Sequence, residues 1–456
     1  MANGKSSSGN RRRFLRRAVA GTAAWAAAPY VISPAALGNA RRPAPSDRIT
    51  IGFIGLGGHG IGHNLRSFLR EEDAEPVILC DVDTRRIETA VNTVRQQRGE
   101  SFRCATTQDW REVIAREDVD AVMISTGDQW HAPMSVAAIQ AGKDVMCEKP
   151  TLSIAEGRIV ADMVQRYGTV FQTATEDRSI PVYHRMAELV RNGRIGRLER
   201  ILCQLPGGPG NAGDPTPQPV PAELDWDMWL GPAPWAPYRH GLHPFHWRWH
   251  RDYSGGQLTD WGAHQLDTVQ WANDTERSGP VEVEGTGRRH ENGLYDTFFE
   301  YHLTYRYADG VELRVDSGGT GLRFEGSDGW VGNDGWVRPL QASSDEILQS
   351  VIGPEELSLF TEPRGEQRNF LDCVKSRRDP YFPAEIGHRC STISHIGNIA
   401  MELGRKLRWD PQAEAFAEDD TANRMRSRSR REPWGLRMGV HPPVGGGRAA
   451  EGDADV

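Results

Sequence analysis

The stretch Arg48-Ile-Thr-Ile-Gly-Phe-Ile-Gly-Leu-Gly-Gly-His-Gly60 constrains the fold more than any other part of the chain. A β-branched, apolar run stops at a glycine cluster, Gly55, Gly57 and Gly60, with Gly58 and His59 inside it. On its own this spacing is a common turn. Between a strand and a helix it gains a use, because glycines let the backbone approach a pyrophosphate held at the helix N-terminus. The next apolar run, Glu75-Pro-Val-Ile-Leu-Cys-Asp81, ends on a carboxylate. There it can accept hydrogen bonds from adenosine ribose hydroxyls and repel a 2′-phosphate. Together these residues predict a dinucleotide site that prefers NAD. Arg85 and Arg86 stand close enough to Asp81 to leave NADP open.

The pattern then repeats. Apolar runs at 120–126 and 144–148 alternate with helical stretches such as Met134–Ala141. Short apolar strands between helices imply a parallel sheet covered on both faces. The expectation is an α/β Rossmann domain, a doubly wound parallel sheet, over residues 47–176. The rest is built differently. Residues 296–318 alternate apolar and polar side chains about Asp309-Gly310, the signature of an antiparallel hairpin. Residues 181–193 and 387–407 read as amphipathic helices. Residues 177–410 therefore predict an α+β domain with a large, mostly antiparallel sheet. Beyond 420 no periodicity remains, and residues 420–456 read as a disordered tail that includes the basic run at 424–431.

Two further motifs carry chemistry. In Val145-Met-Cys-Glu148-Lys149-Pro150 a strand ends on an acid and a base. Ligands in doubly wound folds sit at such strand ends. The proline restricts Lys149 to extended geometry and permits a cis bond. Beside a positively charged nicotinamide the lysine pKa is expected to fall, which suits proton exchange with an alcohol. A plain strand end with a solvated lysine fits the same residues. In Gly255-Gly-Gln-Leu-Thr-Asp260-Trp-Gly-Ala-His264, the acid and the imidazole are four apart and share a face of any regular helix. Asp260 could then orient His264 as a general base. A helix start with a satisfied histidine is the alternative.

Taken in order, the glycine cluster, the acid after it, Glu148-Lys149-Pro150 and Gly255-Gly-x-x-x-Asp260-x-x-x-His264 resemble the Gfo/Idh/MocA family, which includes glucose–fructose oxidoreductase and inositol dehydrogenase. The similarity covers about residues 47–410, including Ser125–Pro133, 369–380 and 399–411. The resemblance implies an NAD(P)-dependent oxidoreductase acting on a secondary hydroxyl of a sugar, cyclitol or glycoside. It implies Lys149, Asp260 and His264 as the catalytic group. It adds Thr126, His131, Glu148 and Lys149 to the cofactor site, and points to a homo-oligomer. Two alternatives stay open: a redox-neutral glycosidase or lyase working through a keto-sugar, and a non-catalytic exported sugar-binding protein.

Charge narrows the partners. Eight of the 54 Lys and Arg lie in the first 42 residues, which carry no acid, so the rest bears 46 cations against 62 carboxylates. So acidic a body excludes ordinary nucleic-acid binding. The first 42 residues pair a basic region with an Ala-rich apolar segment, and Asn10-Arg-Arg-Arg-Phe-Leu15 resembles a twin-arginine export signal. The expectation is a periplasmic protein without a stable membrane anchor. The six cysteines show no C-x-x-C pair. Residues 224–253 hold five of the 14 tryptophans, suited to stacking on sugar rings or to packing. The histidines at 240, 243, 246 and 250 have proline-broken spacing, and no resident metal is expected.

Overall fold

The computed structural model describes residues 43–434. The export signal and the last part of the tail lie outside the described residues. Pro45–Asp47 forms one 3-10 turn.

From Ile49 the chain builds six parallel strands: β1 Ile49–Ile54, β2 Ala74–Cys80, β3 Ala105–Thr107, β4 Ala121–Ile124, β5 Asp144–Glu148 and β6 Phe171–Ala174. Their order is β3-β2-β1-β4-β5-β6. β4, β5 and most of β1 are buried on both faces, which is why their sequences run apolar instead of alternating. Helices cross between them. Asp83 caps Thr84–Arg98 by accepting from Arg85 N, and Ser153 caps Ile154–Tyr167 by accepting from Glu156 N. The strand order reverses between β1 and β4, so a crevice opens beyond their C-terminal ends.

Nine more strands follow: β7 Leu198–Leu205, β8 Glu282–Arg288, β9 Glu300–Arg306, β10 Glu312–Ser317, β11 Leu322–Gly326, β12 Gly329–Asn333, β13 Gln341–Ala342, β14 Leu407–Asp410 and β15 Ala415–Phe416. They form one sheet in the order β13-β12-β11-β7-β10-β9-β8-β14-β15, antiparallel throughout except where β7 pairs with β10. Alternation sorts its faces. Tyr301, Leu303 and Tyr305 of β9 point into a core completed by the helices Pro181–Arg191, Gly262–Ala272 and Ala384–Leu403. Their neighbours His302 and Arg306 pair with Asp316 and Glu312 on the other face. The expected hairpin turns at Gly310, whose φ of 93° a side chain would resist.

Two boundaries differ from those read in the sequence. Glu366–Ser376 belongs by sequence to the second domain, yet its Phe370 and Leu371 pack with Phe53 and Phe68 of the first. Arg368 seals the joint, reaching Asp73 at 2.7 Å and Glu71 at 2.8 Å. Residues 420–434 do not trail into solvent. Arg430 pairs with Glu156 and Arg431 with Asp227. Trp434, 8% exposed, meets Trp130 edge-on at 5.1 Å. Side-chain partners distant in sequence, not helical periodicity, hold this arm. No described helix is long and apolar enough to cross a membrane.

Candidate active site

A cavity of about 630 Å³ lies at the crevice, and its walls carry both the glycine turn and the Lys149 strand end. Gly55 sits at φ 90°, and a Cβ on it would lie 2.5 Å from the Ser125 carbonyl oxygen. A Cβ on Gly60 would stand 2.3 Å from the Gly55 oxygen. At Gly58 a Cβ would meet nothing, so backbone borders open space there. The helix begins as a π-helical turn, Gly60–Leu65, a local widening common at functional sites.

Asp81 lies at the wall of this cavity. Its Oδ2 accepts from Leu56 N at 2.6 Å and its Oδ1 from Asp83 N at 2.9 Å. Burial raises its pKa, against the pull of Arg86. Each oxygen keeps a lone pair for another donor. Of the two arginines near Asp81, Arg86 lines the cavity, while Arg85 is turned outward onto Asp83 at 2.9 Å. Open backbone at Gly58 and a buried carboxylate at the end of β2 fit a dinucleotide with its adenosine ribose on Asp81.

The expected catalytic residues come together, though not in the expected pairs. Lys149, joined to Pro150 by a cis bond, donates to Asp260 Oδ1 at 2.7 Å and to the Asp260 carbonyl at 3.0 Å. Burial works against a charged lysine, but Asp260 and Glu148 outweigh it, so without a nicotinamide beside it its pKa is raised. Burial would raise Asp260 in turn. Lys149 and Arg248, whose Nε lies 3.2 Å away, hold it well below the usual carboxylate range.

Asp260 does not orient His264. It ends the short helix Gln257–Asp260, and the chain restarts a helix at Gly262, so the two residues do not share a regular face. His264 Nδ1 instead faces Asp177 Oδ1 at 3.2 Å and Thr175 Oγ1 at 3.2 Å. Glu176 Oε2 is 3.8 Å away. Burial and Lys149 oppose a charged imidazole, yet Asp177 and Glu176 leave its pKa raised. Asp177 is itself pushed up to about 6, by burial first, against His264.

The remaining predicted cofactor residues divide. Glu148 accepts from Asn64 at 2.8 Å and pairs with His59 at 3.0 Å. Thr126 borders the cavity. His131 also lines it, but its ring nitrogens face the Pro150 carbonyl at 2.7 Å and the Thr126 carbonyl at 3.1 Å. It braces the loop after β4 against the cis proline and has no ring nitrogen to spare for a ligand. Asp128, absent from the sequence reading, accepts from Ser254 Oγ at 2.7 Å, and burial, with Asp260 adding to it, pushes it up to about 8.

Much of the tryptophan-rich loop packs on itself. Trp226 and Trp229 stack at 4.6 Å in a small core with Leu230, Tyr238 and Tyr253. Trp229, Trp247 and Trp261 also border the cavity. His243, His246 and His250 lie against Trp229, Tyr295 and Tyr253 respectively.

Asp177, Glu176, Arg248 and Asp128 are the residues sequence reasoning missed. Glu176 and Asp177 had a signal, because they follow β6 closely and strand C-termini face the crevice. Arg248 had none, lying in an aperiodic loop.

Comparison with known proteins agrees with this fold. Residues 49–175 match the model described as "Oxidoreductase family, NAD-binding Rossmann fold", and residues 211–436 match "Oxidoreductase family, C-terminal alpha/beta domain". A "Glycosyl hydrolase family 109 protein" of Shewanella baltica is 32% identical over 171 residues, 34% of this chain and 37% of that protein. An "Alpha-N-acetylgalactosaminidase" of Shewanella oneidensis is 31% identical over the same length and the same shares. The match thus spans little more than a third of these relatives. Two of the solved structures that share the fold illustrate it. An aldose-aldose oxidoreductase from Caulobacter crescentus has a TM-score of 0.60 and 18% identity, covering 79% of this chain and 99% of that one. The WlbA dehydrogenase from Bordetella pertussis, in complex with NADH and UDP-GlcNAcA, has a TM-score of 0.58 and 14% identity, covering 79% and 98%.

Proposed function

The chain belongs to the Gfo/Idh/MocA oxidoreductase family, and from that premise we propose that it oxidises or reduces a secondary hydroxyl of a carbohydrate or cyclitol. One observation carries the reading: Lys149 and His264 border the same cavity as the glycine turn. NAD, when bound, supplies the hydride acceptor or donor. Gly55, Gly57, Gly58, Gly60 and Asp81 hold the cofactor. An ionised carboxylate only accepts hydrogen bonds, so Asp177 accepts the Nδ1–H of His264 and leaves Nε2 free to receive the proton of a hydroxyl. Lys149, charged and fixed by Asp260, steadies the oxygen that loses it. Trp229, Trp247 and Trp261 offer faces to the C–H side of a sugar ring.

The test is turnover against a panel of sugars, cyclitols and glycosides, followed at the nicotinamide absorbance. Removing a positioned acid or base costs about 10²- to 10⁴-fold, so Lys149→Ala and His264→Ala should fall by that much with fold and NAD binding intact. Equal turnover in both variants, or sugar binding with no reaction in any form, would overturn the reading. The second outcome would leave a sugar-binding protein.

A redox-neutral cleavage is the second reading, supported by the names of the Shewanella relatives. It is recognised by released glycoside products with no net NADH. Export belongs to the same proposal. Asn10–Leu15 marks a twin-arginine route to the periplasm, where a bound, recycled cofactor suits either reaction. Assembly into a homo-oligomer is proposed likewise.

A further inference from the structure

The basic run at 424–431 lines a second cavity. It encloses about 470 Å³, a volume suited to a small organic ligand. Its walls come from the arm, from the start of the helix Ile154–Tyr167 and from the helix Ala384–Leu403. Gln129 lines both this cavity and the one that carries Lys149 and His264, so the two spaces are neighbours across one residue.

Four arginines and four carboxylates line the second cavity, and their pairing is uneven. Arg430 is matched by Glu156. Glu402 takes Arg251 at 3.1 Å and is shared with Arg289 at 2.7 Å. Asp296 accepts from the backbone N of Arg251 at 2.7 Å. Asp252 stands 3.9 Å from His250, its side chain 45% exposed. Arg424 is exposed and donates to Thr421 Oγ1 at 3.2 Å. Arg428 differs from all of these. It is partly buried, and among the described residues its guanidinium donates to the Arg251 carbonyl and pairs with no carboxylate. Burial and the Arg251 cation lower its pKa, more than Glu156 and Asp252 restore it. One carbonyl leaves most of the five N–H donors of the fork unused. A cation shielded from water without a counter-charge is costly, and an anion in the cavity removes that cost.

We propose that this cavity is a second ligand site, in which Arg428 binds the oxyanion of a small organic carboxylate or phosphate monoester. The planar guanidinium matches either group with two parallel hydrogen bonds. Ser427 and Ser429 of the arm and Asn398 of the long helix line the same space and suit the hydroxyls of a polyol that carries the anion. The arm supplies Arg428 and both serines, so the ligand fastens the arm to the body. The site uses neither NAD nor the catalytic group and stands apart from the oxidoreductase reading.

The experiment titrates the full chain calorimetrically, with chloride as the only other anion, against gluconate, glycerol 3-phosphate and the uncharged polyol glucitol. One equivalent of gluconate or of glycerol 3-phosphate per chain is expected, and the tighter of the two names the anion. Arg428→Gln should weaken that binding about 10-fold or more. Arg197→Gln, which removes the same charge from an exposed position outside the cavity, should leave it unchanged. The anion should also raise the melting temperature of the wild type and not that of Arg428→Gln. In chloride alone Arg428→Gln should melt no lower than the wild type, because it removes an unanswered charge. A lower melting temperature would show that Arg428 is already satisfied within the fold, and would overturn the site. Binding of neither anion, equal affinity in wild type and Arg428→Gln, or glucitol bound as tightly as the anions would overturn it as well.

Discussion

Asp177 decides how His264 handles a proton. Together with Glu176 it raises the imidazole pKa against burial and Lys149. Where His264 acts as a base, activity appears as pH rises through that pKa. Asp177→Asn should therefore move the acidic limb of the kcat/KM profile to lower pH while lowering the plateau. A limb that stays in place would show that Glu176 or Lys149 sets the value. A second residue-scale expectation concerns the cofactor. Asp81 and Arg86 line the proposed nucleotide cavity together, and with the carboxylate facing the ribose the wild type should bind NAD more tightly than NADP. A hydrogen bond to a charged group is worth about 1.5–3 kcal/mol, so Asp81→Ala should weaken NAD roughly 10- to 100-fold. Fluorescence titration measures it, and tighter NADP binding by the wild type would assign the pocket to Arg86. Asp81 and Lys149 were legible because a strand end is a local feature of sequence. The partner of His264 was not. Asp260 lies four residues away in sequence but across a helix break at Trp261, whereas Asp177 arrives from β6 through the fold.

At the scale of elements the C-terminal arm is the clearest case. Its sequence lacks the 3.6 period, and its arginines name no partner. In the structure Trp434 is lodged by Trp130 and lies under the Arg111 guanidinium at 5.5 Å. Replacing a buried tryptophan by alanine costs about 3–5 kcal/mol, and the low end suits a side chain near the edge of the body. Trp434→Ala should lower the urea midpoint accordingly, and an unchanged midpoint would mean that the arm rests on the surface without supporting it. The parallel sheet and the hairpin about Gly310 were legible for the opposite reason. Periods of 2 and 3.6 are written into consecutive residues. The Glu366–Ser376 helix shows the limit of that signal, because its amphipathic pattern says that a face is buried and not against which domain.

At the scale of the whole molecule the two domains are joined by ion pairs whose carboxylates titrate in acid. Arg368 and Lys375 overcome burial and hold Asp73 down at about 2, and Arg158 and Arg389 do the same for Glu385, also at about 2. Because these folded values lie below the unfolded ones, the stabilisation is complete above the ordinary carboxylate range. It is lost as pH falls from about 4 towards 2. Acid unfolding should steepen in that window, and Asp73→Asn should flatten it; a variant as acid-sensitive as the wild type would place the weak point elsewhere.

A protein that crosses a membrane already folded must carry its dinucleotide with it, and the proposed export has a consequence for the cofactor. The periplasm offers no ordinary pool of NAD, so a cofactor in free exchange would be lost by mass action. Retention requires the cavity to hold the nucleotide through the whole cycle. The structure has a feature that suits this, because Trp229 and Trp247 line the same cavity as the glycine turn and Arg86. The protein should therefore purify with nucleotide attached, released on denaturation at close to one equivalent per chain. It should turn over substrate without added NAD, through a second sugar as hydride acceptor or through a redox-neutral cleavage. Strict dependence on fresh NAD, consumed one for one with product, would make it an ordinary dehydrogenase with an exchangeable cofactor and would remove the reason for coupling export to a loaded site.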